Sequence, residues 1–315
     1  MSSLVVRQLT EGDLADADRI NRVAFGTFFG LPNPQEFRGD GQVVPGRFQR
    51  NPEGAFAADL DGKLVACGFV MDWGSVGIFG PLTVDVNHWG KGIARRMLDA
   101  MTGYMEARGF SLHGLFTHPQ SATHIRLYEE YGFWMQRVTA VMDKQVDLSR
   151  PMPIETICFS SLSDVDRDAT LKQCAAVTTG IYEGMDLSGE ILSIEANGFG
   201  DTVLLHVDGR LAGFACCHQG AGSEAGSSQT LIKFAAVTPG PLASENFSRL
   251  LGICESFAAH RGTRRLVAGT NSGRRFCYEA LRNTGFRTWM NGIAMIKPDH
   301  DGYNTSETYV IDDWR

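Results

Sequence analysis

Residues 82–96 read LTVDVNHWGKGIARR: a short apolar strand, a turn that contains two glycines, and the first residues of a helix. Gly90 and Gly92 allow this turn to bring several backbone N–H groups close to one ligand. The helix expected from Ile93 adds the partial positive charge of its N-terminus. The stretch therefore predicts a binding site for an anionic group of the pyrophosphate type.

A second informative stretch, residues 122–133, reads ATHIRLYEEYGF and predicts a helix that is closed by a glycine. Together the two stretches resemble the GNAT superfamily of acyl-CoA-dependent N-acyltransferases. The family pattern is matched at three places, Leu82-x-Val84, Gly92-x-Ala94 and Leu127-Tyr128-Glu129 with the following Gly-Phe. Two positions depart from it: Trp89 stands where the family has Gln or Arg, and Ser121 where it usually has Asn.

The resemblance implies acetyl-CoA, or another acyl-CoA, as co-substrate and no metal. In the family, the pantetheine arm lies where two neighbouring strands separate, against the strand that ends here at Val84. That strand's Val84 amide would donate to the thioester oxygen, and the turn amides would hold the pyrophosphate. The implied cofactor-binding residues are Leu82, Thr83, Val84, Trp89, Gly90, Lys91, Gly92, Ile93, Ala94, Arg95, Ser121 and Tyr128.

The resemblance also implies direct attack by an amine, which needs an acid for the departing thiolate and a base for the ammonium proton. Tyr128 matches the family's acid. No base is evident from the sequence, because the strand at residues 76–80 carries no carboxylate. Asp72 and His118 are the nearest candidates, and a water chain or a base from the second half of the chain remains open.

The composition is that of a globular protein. The chain has 315 residues, 43% of them hydrophobic, and a formal net charge of −7, which argues against nucleic acid as a partner. No apolar run is long enough for a membrane span, and the N-terminus lacks a signal peptide pattern, so we expect a cytoplasmic protein. Seven cysteines without a Cys-x-x-Cys motif predict neither a disulfide scaffold nor a zinc site.

The sequence repeats itself with a period near 150 residues. The Asp-Gly hairpin signal at Asp61 recurs at Asp208, and the Gly-Phe pair at Gly132 recurs at Gly285. Each repeat alternates strands and helices, which predicts a mixed α/β fold of two tandem GNAT-like domains. We expect a catalytic, acyl-CoA-binding domain at residues 1–147, a proline-containing linker at 148–155 and a second domain at 156–315. The layout is similar to tandem GNAT-like enzymes such as mycothiol synthase, without a close match in residues.

The two predicted domains differ at the cofactor turn. Alignment of Val84 with Val237 puts Glu245 and Phe247 at the positions of Gly92 and Ala94. A carboxylate there repels phosphate, and a phenylalanine blocks close approach to the backbone. We therefore predict a degenerate second domain and one active site per chain.

Two further segments are candidates for the acceptor side. Residues 25–50 are rich in phenylalanine and proline and correspond to the wall of the acceptor site in the family, although ordinary core packing explains the pattern equally well. Residues 220–228 form either a polar loop at the cleft between the domains or a solvated hairpin.

The sequence therefore predicts an N-acetyltransferase that acts on the amine of a small-molecule or peptide acceptor, as a monomer or homodimer, without nucleic acid or membrane as a partner. The alternative is a non-catalytic acyl-CoA-binding regulatory protein, which would keep the turn without turnover. Replacement of Tyr128 by phenylalanine separates the two, because only an enzyme would lose turnover while it keeps its CoA affinity.

Overall fold

A computed structural model describes residues 3–149, 151 and 156–315. The helices and strands of the first half are β1 (Leu4–Gln8), α1 (Leu14–Phe28), α2 (Val44–Arg50), β2 (Ala55–Leu60), β3 (Lys63–Trp73), β4 (Val76–Val84), α3 (Ile93–Arg108), β5 (Leu112–Thr117), α4 (Ala122–Glu129) and β6 (Trp134–Gln145). Those of the second half are β7 (Ile157–Cys158), α5 (Asp164–Thr179), α6 (Ser188–Asn197), β8 (Gly200–Val207), β9 (Arg210–Gly220), β10 (Gly226–Val237), α7 (Ala243–His260), β11 (Arg265–Asn271), α8 (Arg275–Asn283), β12 (Arg287–Lys297) and β13 (Val310–Ile311). The predicted mixed α/β fold with a repeated order of elements is confirmed.

All of these strands belong to one 13-stranded sheet with the order β1-β2-β3-β4-β5-β12-β6-β11-β10-β9-β8-β7, and β13 pairs with β10. The halves exchange strands: β12 of the second half lies between β5 and β6, and β6 of the first half lies beside β11. Neither half therefore has a complete sheet by itself. The domain limits at 147 and 156 stay a prediction, and most of the linker expected at 148–155 lies outside the described residues.

The turn and cap signals of the sequence explain the local structure. Asp61-Gly62 and Asp208-Gly209 have positive φ angles and close the hairpins β2–β3 and β8–β9. Ser163 caps α5, since its side chain accepts a hydrogen bond from the Asp166 N–H. The β2–β3 and β8–β9 hairpins therefore occupy the same place in the order of elements of their halves.

In each half one long helix packs on the strands through a fully buried apolar face. Helix α3 begins at Ile93, as predicted, and the apolar side chains on one face of it are fully buried: Met97, Leu98, Met101 and Met105. Helix α7 fills the matching position with Phe247, Leu250, Cys254 and Phe257. Cys216 and Cys217 of β9 are both fully buried and belong to the core. Among the described residues, no helix has the length and apolar character needed to cross a membrane.

Candidate active site

Strands β4 and β5 separate part-way along their length. They pair in parallel from Val76 to Phe79, opposite Leu112 to Leu115, and have no paired residues beyond that point. The separation begins where β4 bulges, because Gly68 of β3 faces Leu82 while Val70 faces Phe79. A bulge bends its strand. The result is a V-shaped groove between the second half of β4 and the end of β5.

The free edge of β4 in this groove is formed by Leu82 and Val84. Asp85 donates its N–H to the Val65 carbonyl oxygen of β3 at 2.8 Å. Since the backbone groups of an antiparallel strand alternate in direction, those of Leu82 and Val84 face away from β3, into the groove. Those of Thr83 face β3, and its buried hydroxyl lies 3.2 Å from the Cys67 sulfur. Two of the three strand residues predicted to bind cofactor therefore reach the groove.

The glycine turn presents unused hydrogen-bond donors. Gly90 and Gly92 have φ angles of 75° and 77°, and a Cβ atom at either would meet no heavy atom within 4 Å. The glycines therefore serve the backbone conformation and leave open space over the turn. Within the described part of the chain, no backbone N–H of residues 90–94 donates a hydrogen bond. This arc of donors at the start of α3 suits a pyrophosphate.

The side chains of the turn make local contacts. The Trp89 indole donates to the Val84 carbonyl oxygen at 2.8 Å, which occupies one acceptor of the β4 edge. Lys91 donates to the Asn87 carbonyl oxygen at 3.1 Å, and Arg95 pairs with Glu130 at the end of α4. Contacts to phosphate by these side chains stay a prediction, as does the role of Ser121, which precedes α4 without capping it.

Tyr128 lies beside the groove, at the end of α4. Its ring contacts Phe79, the last paired residue of β4, with ring centroids 5.5 Å apart. Burial raises the pKa of Tyr128 to about 12, so the phenol stays protonated over the whole neutral range. Its hydroxyl makes no hydrogen bond to any described residue. A protonated, uncommitted donor therefore sits at the point where the strands part.

Two histidines lie near Tyr128. His124 precedes it by one helical turn, with ring centroids 6.5 Å apart, and the Phe28 ring lies 5.8 Å from His124 and 5.2 Å from His118. Burial lowers the pKa of both histidines, that of His118 to about 4, so both imidazoles are neutral at pH 7. The sequence analysis missed His124, although its spacing from Tyr128 places both on one helix face.

Asp72, the other candidate base, is not brought to this groove. It lies near the opposite end of the β3–β4 hairpin, where it faces Gly77. Its carboxylate accepts hydrogen bonds from Arg108 at 2.6 Å and from the Gly74 N–H at 3.0 Å. The structure therefore gives Asp72 a local structural role and leaves His118 as the predicted base that borders the groove.

The corresponding groove of the second half is filled by the chain itself. Strands β10 and β11 pair in parallel only at Thr230 and Leu231, and β10 then bulges at Lys233. Beyond the bulge, β13 pairs with β10 in the antiparallel direction through Ala235 and Ala236. In the repeat these alanines correspond to Leu82 and Thr83, so β13 occupies the place of the first half's free edge.

The turn before α7 also differs from the alignment-based expectation. Helix α7 begins at Ala243, so residues 238–242 form a shorter connection than residues 85–92 do in the first half. Glu245 lies in the first turn of the helix and not in the preceding turn. Phe247 is fully buried and packs on Tyr309, at a centroid distance of 5.2 Å, immediately before β13. The second half thus has a plugged groove and a short connection.

A buried group of charges joins the two halves at the β4 bulge. Arg47 of α2 donates to the Gly80 carbonyl oxygen at 2.9 Å and binds the Glu224 carboxylate through two nitrogens, at 2.5 and 3.2 Å. Lys233 binds the same carboxylate at 2.8 Å. These arginine, glutamate and lysine side chains are at most 7% exposed. The opposite charges compensate one another, as burial of charge requires.

The aromatic segment 25–50 contacts His118 at the end of β5, and its role as a wall of the acceptor site stays a prediction. Phe25, Phe29 and Phe37 stack on one another with centroid distances of 5.5 to 6.4 Å, and Phe29 meets the His118 ring edge-on at 5.0 Å. The loop at 220–228 packs on the same segment, since Gln42 donates to the Ser223 carbonyl oxygen at 2.9 Å.

Residues 19–133, which include β4, the glycine turn and Tyr128, match the model of the acetyltransferase (GNAT) family. The match covers less than half of the chain and shows that this segment is similar to acetyltransferases of the GNAT family, whose members transfer an acyl group from acyl-CoA. No curated protein sequence matches the chain.

Solved structures with the same fold extend over both halves of the chain. A candidate acetyltransferase from Pyrococcus horikoshii has a TM-score of 0.69 at 14% identity, over 99% of this chain and 95% of that one. A GCN5-related N-acetyltransferase from Sphaerobacter thermophilus has a TM-score of 0.57 at 13% identity, over 93% and 95% of the two chains. At these identities the likeness shows the fold alone. In the described residues no group of histidine, cysteine and carboxylate side chains is placed to hold a metal ion.

Proposed function

We propose that the first half transfers an acetyl group from acetyl-CoA to an amine by direct attack. The observation that carries the proposal is the coincidence of three features in one groove. The β4 edge offers backbone groups of Leu82 and Val84, the turn at 90–94 offers unused N–H donors, and Tyr128 offers an uncommitted hydroxyl. The donors suit the phosphates, and the open edge suits an extended arm that binds like a strand.

In this proposal each group has one task. The thioester supplies the acyl group; its carbonyl carbon forms a bond to the amine nitrogen, and its bond to sulfur breaks. The Val84 N–H, directed into the groove, stabilises the oxyanion that forms. Tyr128 gives its proton to the departing sulfur, and burial keeps that proton in place until then. The neutral His118 or His124 accepts the proton that the amine loses.

The test is the kinetics of Tyr128→Phe with acetyl-CoA and an amine panel. We expect kcat to fall at least about a hundredfold, a usual contribution of general acid catalysis, while the Kd for CoA stays within about twofold. Tyr104→Phe, which alters a tyrosine of α3 away from the groove, is the control. Unchanged kcat would remove Tyr128 from the chemistry. Tight CoA binding without turnover of any amine would favour the non-catalytic, regulatory alternative. The lack of a carboxylate base among the described residues that border the groove favours the same alternative.

A further inference from the structure

Arg38 carries a positive charge with no counter-ion among the described residues. Its guanidinium donates one hydrogen bond, to the Glu224 backbone carbonyl oxygen at 3.3 Å, and lies 5.5 Å from the Phe37 ring centre. No carboxylate of the described residues lies within ion-pair distance of it. Arg38 is an exposed residue, although protein atoms surround its guanidinium closely. Its other N–H groups donate to no described residue, so they are available to a ligand.

The position of Arg38 is on the rim of the groove. On one side, Arg38 contacts Glu224, and the Glu224 carboxylate binds Arg47. Arg47 in turn donates to the Gly80 carbonyl oxygen, where β4 bulges. On the other side, Phe37 stacks on Phe29, which contacts His118 at the end of β5. These contacts connect Arg38 to the bulge of β4 on one side and to the end of β5 on the other, so Arg38 lies between the two strands that border the groove.

Arg315 supplies a second cation on the same rim. Its main-chain oxygen accepts a hydrogen bond from Lys233 at 2.8 Å, which fixes the residue beside the buried charges. Its guanidinium is 2.8 Å from Asp313, but its Nε is buried without a hydrogen-bond partner. Burial, followed by the charge of Arg315, lowers the pKa of Arg38 to about 10, and Arg315 also contributes to the lowered pKa of His118. Arg38 is therefore still charged at pH 7. Arg315 lies near it, because Arg47 donates both to the Arg315 main-chain oxygen and to Glu224, whose backbone carbonyl oxygen accepts from Arg38.

We propose that the acceptor is an amine whose molecule also carries an oxyanion, and that Arg38 and Arg315 hold this anionic group beside His118. Guanidinium groups bind carboxylate and phosphate oxygens in pairs, which fixes orientation as well as position. The stacked phenylalanines cover an apolar part of the same molecule. This inference rests on the proposed acetyl transfer and adds the class of acceptor.

The charge of Arg38 also favours one class of acceptor. Arg315 is paired with Asp313, whereas Arg38 has no ion-pair partner among the described residues. An ammonium without an anionic group meets this uncompensated charge, and an acceptor that brings its own anionic group offsets it. The arrangement therefore selects amines of the amino-acid or amino-phosphate type over simple polyamines.

The experiment compares matched acceptors with acetyl-CoA. The pairs are L-phenylalanine with its amide, and O-phosphoethanolamine with ethanolamine, so that carboxylate and phosphate are tested separately. We expect kcat/KM to be about tenfold or more higher for the anionic member of at least one pair. Arg38→Met should reduce this value about ten- to hundredfold, as loss of a charged hydrogen bond does, and leave the neutral partner within about twofold. Arg19→Met, at an exposed arginine of α1, is the control.

Equal or better turnover of the neutral members would overturn the inference, as would an equal loss for both members in Arg38→Met. The result also separates the inference from the proposed function. If neutral and anionic amines are acetylated equally well, the proposed acetyl transfer is supported and the anionic acceptor is contradicted. If CoA binds and no amine of the panel is acetylated, both proposals are contradicted, and only the assignment of the CoA site is supported.

Discussion

The grooves of the two halves start alike and end differently. In each half two parallel strands pair briefly and then part at a bulge, at Gly80 in β4 and at Lys233 in β10. In the first half the edge beyond the bulge is free, and a glycine turn with unused donors follows it. In the second half β13 pairs with that edge. The same groove geometry can therefore leave a strand edge open for a ligand or have that edge covered by another strand of the chain.

The filled groove explains what the second half contributes. A free strand edge exposes unpaired backbone groups, and coverage by β13 removes that cost where no ligand is needed. The second half then supplies Glu224 and Lys233 to the bulge of the first half, and β12 to its sheet. The comparison predicts that β13 is essential to the fold, whereas the free edge is essential to binding.

Ile311→Asp should have the largest effect, because it places an unpaired charge in the filled groove. Ile311 is fully buried and pairs with Ala235. We expect the free energy of unfolding, measured by urea denaturation, to fall by about 4 kcal/mol or more. Val5→Asp, at a 51% exposed position of the edge strand β1, should be nearly neutral. If both variants are equally stable, β13 is dispensable and the comparison is wrong.

Exchange of the residues at the corresponding helix positions tests the comparison in both directions. Phe247→Ala removes a fully buried ring that packs on Tyr309, so unfolding should become about 3–4 kcal/mol easier. Ala94→Phe should change stability little, because Ala94 is half-buried beside the open turn, but should weaken CoA binding more than about tenfold. A thermal denaturation series and calorimetric titration with CoA measure the two effects. A destabilised Ala94→Phe with normal CoA affinity would contradict the assignment of the turn.

Glu190 of the second half contacts Arg50 of the first half, and its contribution to the free energy of unfolding depends on pH. Burial alone would raise its pKa, but the hydrogen bond and charge of His218, with Arg50 and Lys233, outweigh burial and lower the pKa to about 2. Since this is below the ordinary value, the stabilisation is complete above pH about 4.5 and is lost as the pH falls through 2. The charged Glu190 carboxylate therefore contributes about 3 kcal/mol to the free energy of unfolding.

Glu190→Gln should therefore destabilise the protein by about 3 kcal/mol at pH 7, and the difference from the natural chain should shrink below pH 4.5. Urea denaturation at a series of pH values measures it. Glu279→Gln, which alters an exposed partner of Arg275, should show no such dependence. A difference that is constant with pH would mean that the carboxylate is not stabilised in its charged form.

The smallest expected effect is on the base. His118→Gln should lower kcat about tenfold without a change in CoA affinity, because His124 and water remain to accept the proton. Since the pKa of His118 is lowered to about 4, kcat of the natural chain should not fall near pH 6.5 from this residue. His260→Gln, at the exposed end of α7, is the control. A loss of CoA affinity instead of kcat would assign His118 to binding.

The sequence was most informative where a function depends on neighbouring residues. The turn at 85–92 and the start of α3 at Ile93 were predicted, because each depends on local backbone rules. The sequence repeat also predicted two similar halves, because similar stretches of sequence form similar helices and strands. The shorter connection before α7 was not predicted, because an alignment without gaps cannot show a helix that begins earlier.

Long-range contacts left no signal in the chain. The exchange of β6 and β12, the pairing of β13 with β10, and the contact of Arg47 with Glu224 join residues that are far apart in sequence. A short strand such as β13 has no periodicity to detect. Asp72 was a reasonable candidate by type, but only the register of the hairpin shows that it points to Arg108.

The most direct test of the account is the stoichiometry of CoA binding by titration calorimetry, for the natural chain, Gly92→Glu and Gly109→Glu. Gly109 has a similar φ angle, 72°, at the other end of α3, so it controls for strain and for the added charge. We expect one CoA per chain, with binding lost in Gly92→Glu and kept in Gly109→Glu. Two CoA molecules per chain, or unchanged binding in Gly92→Glu, would contradict it.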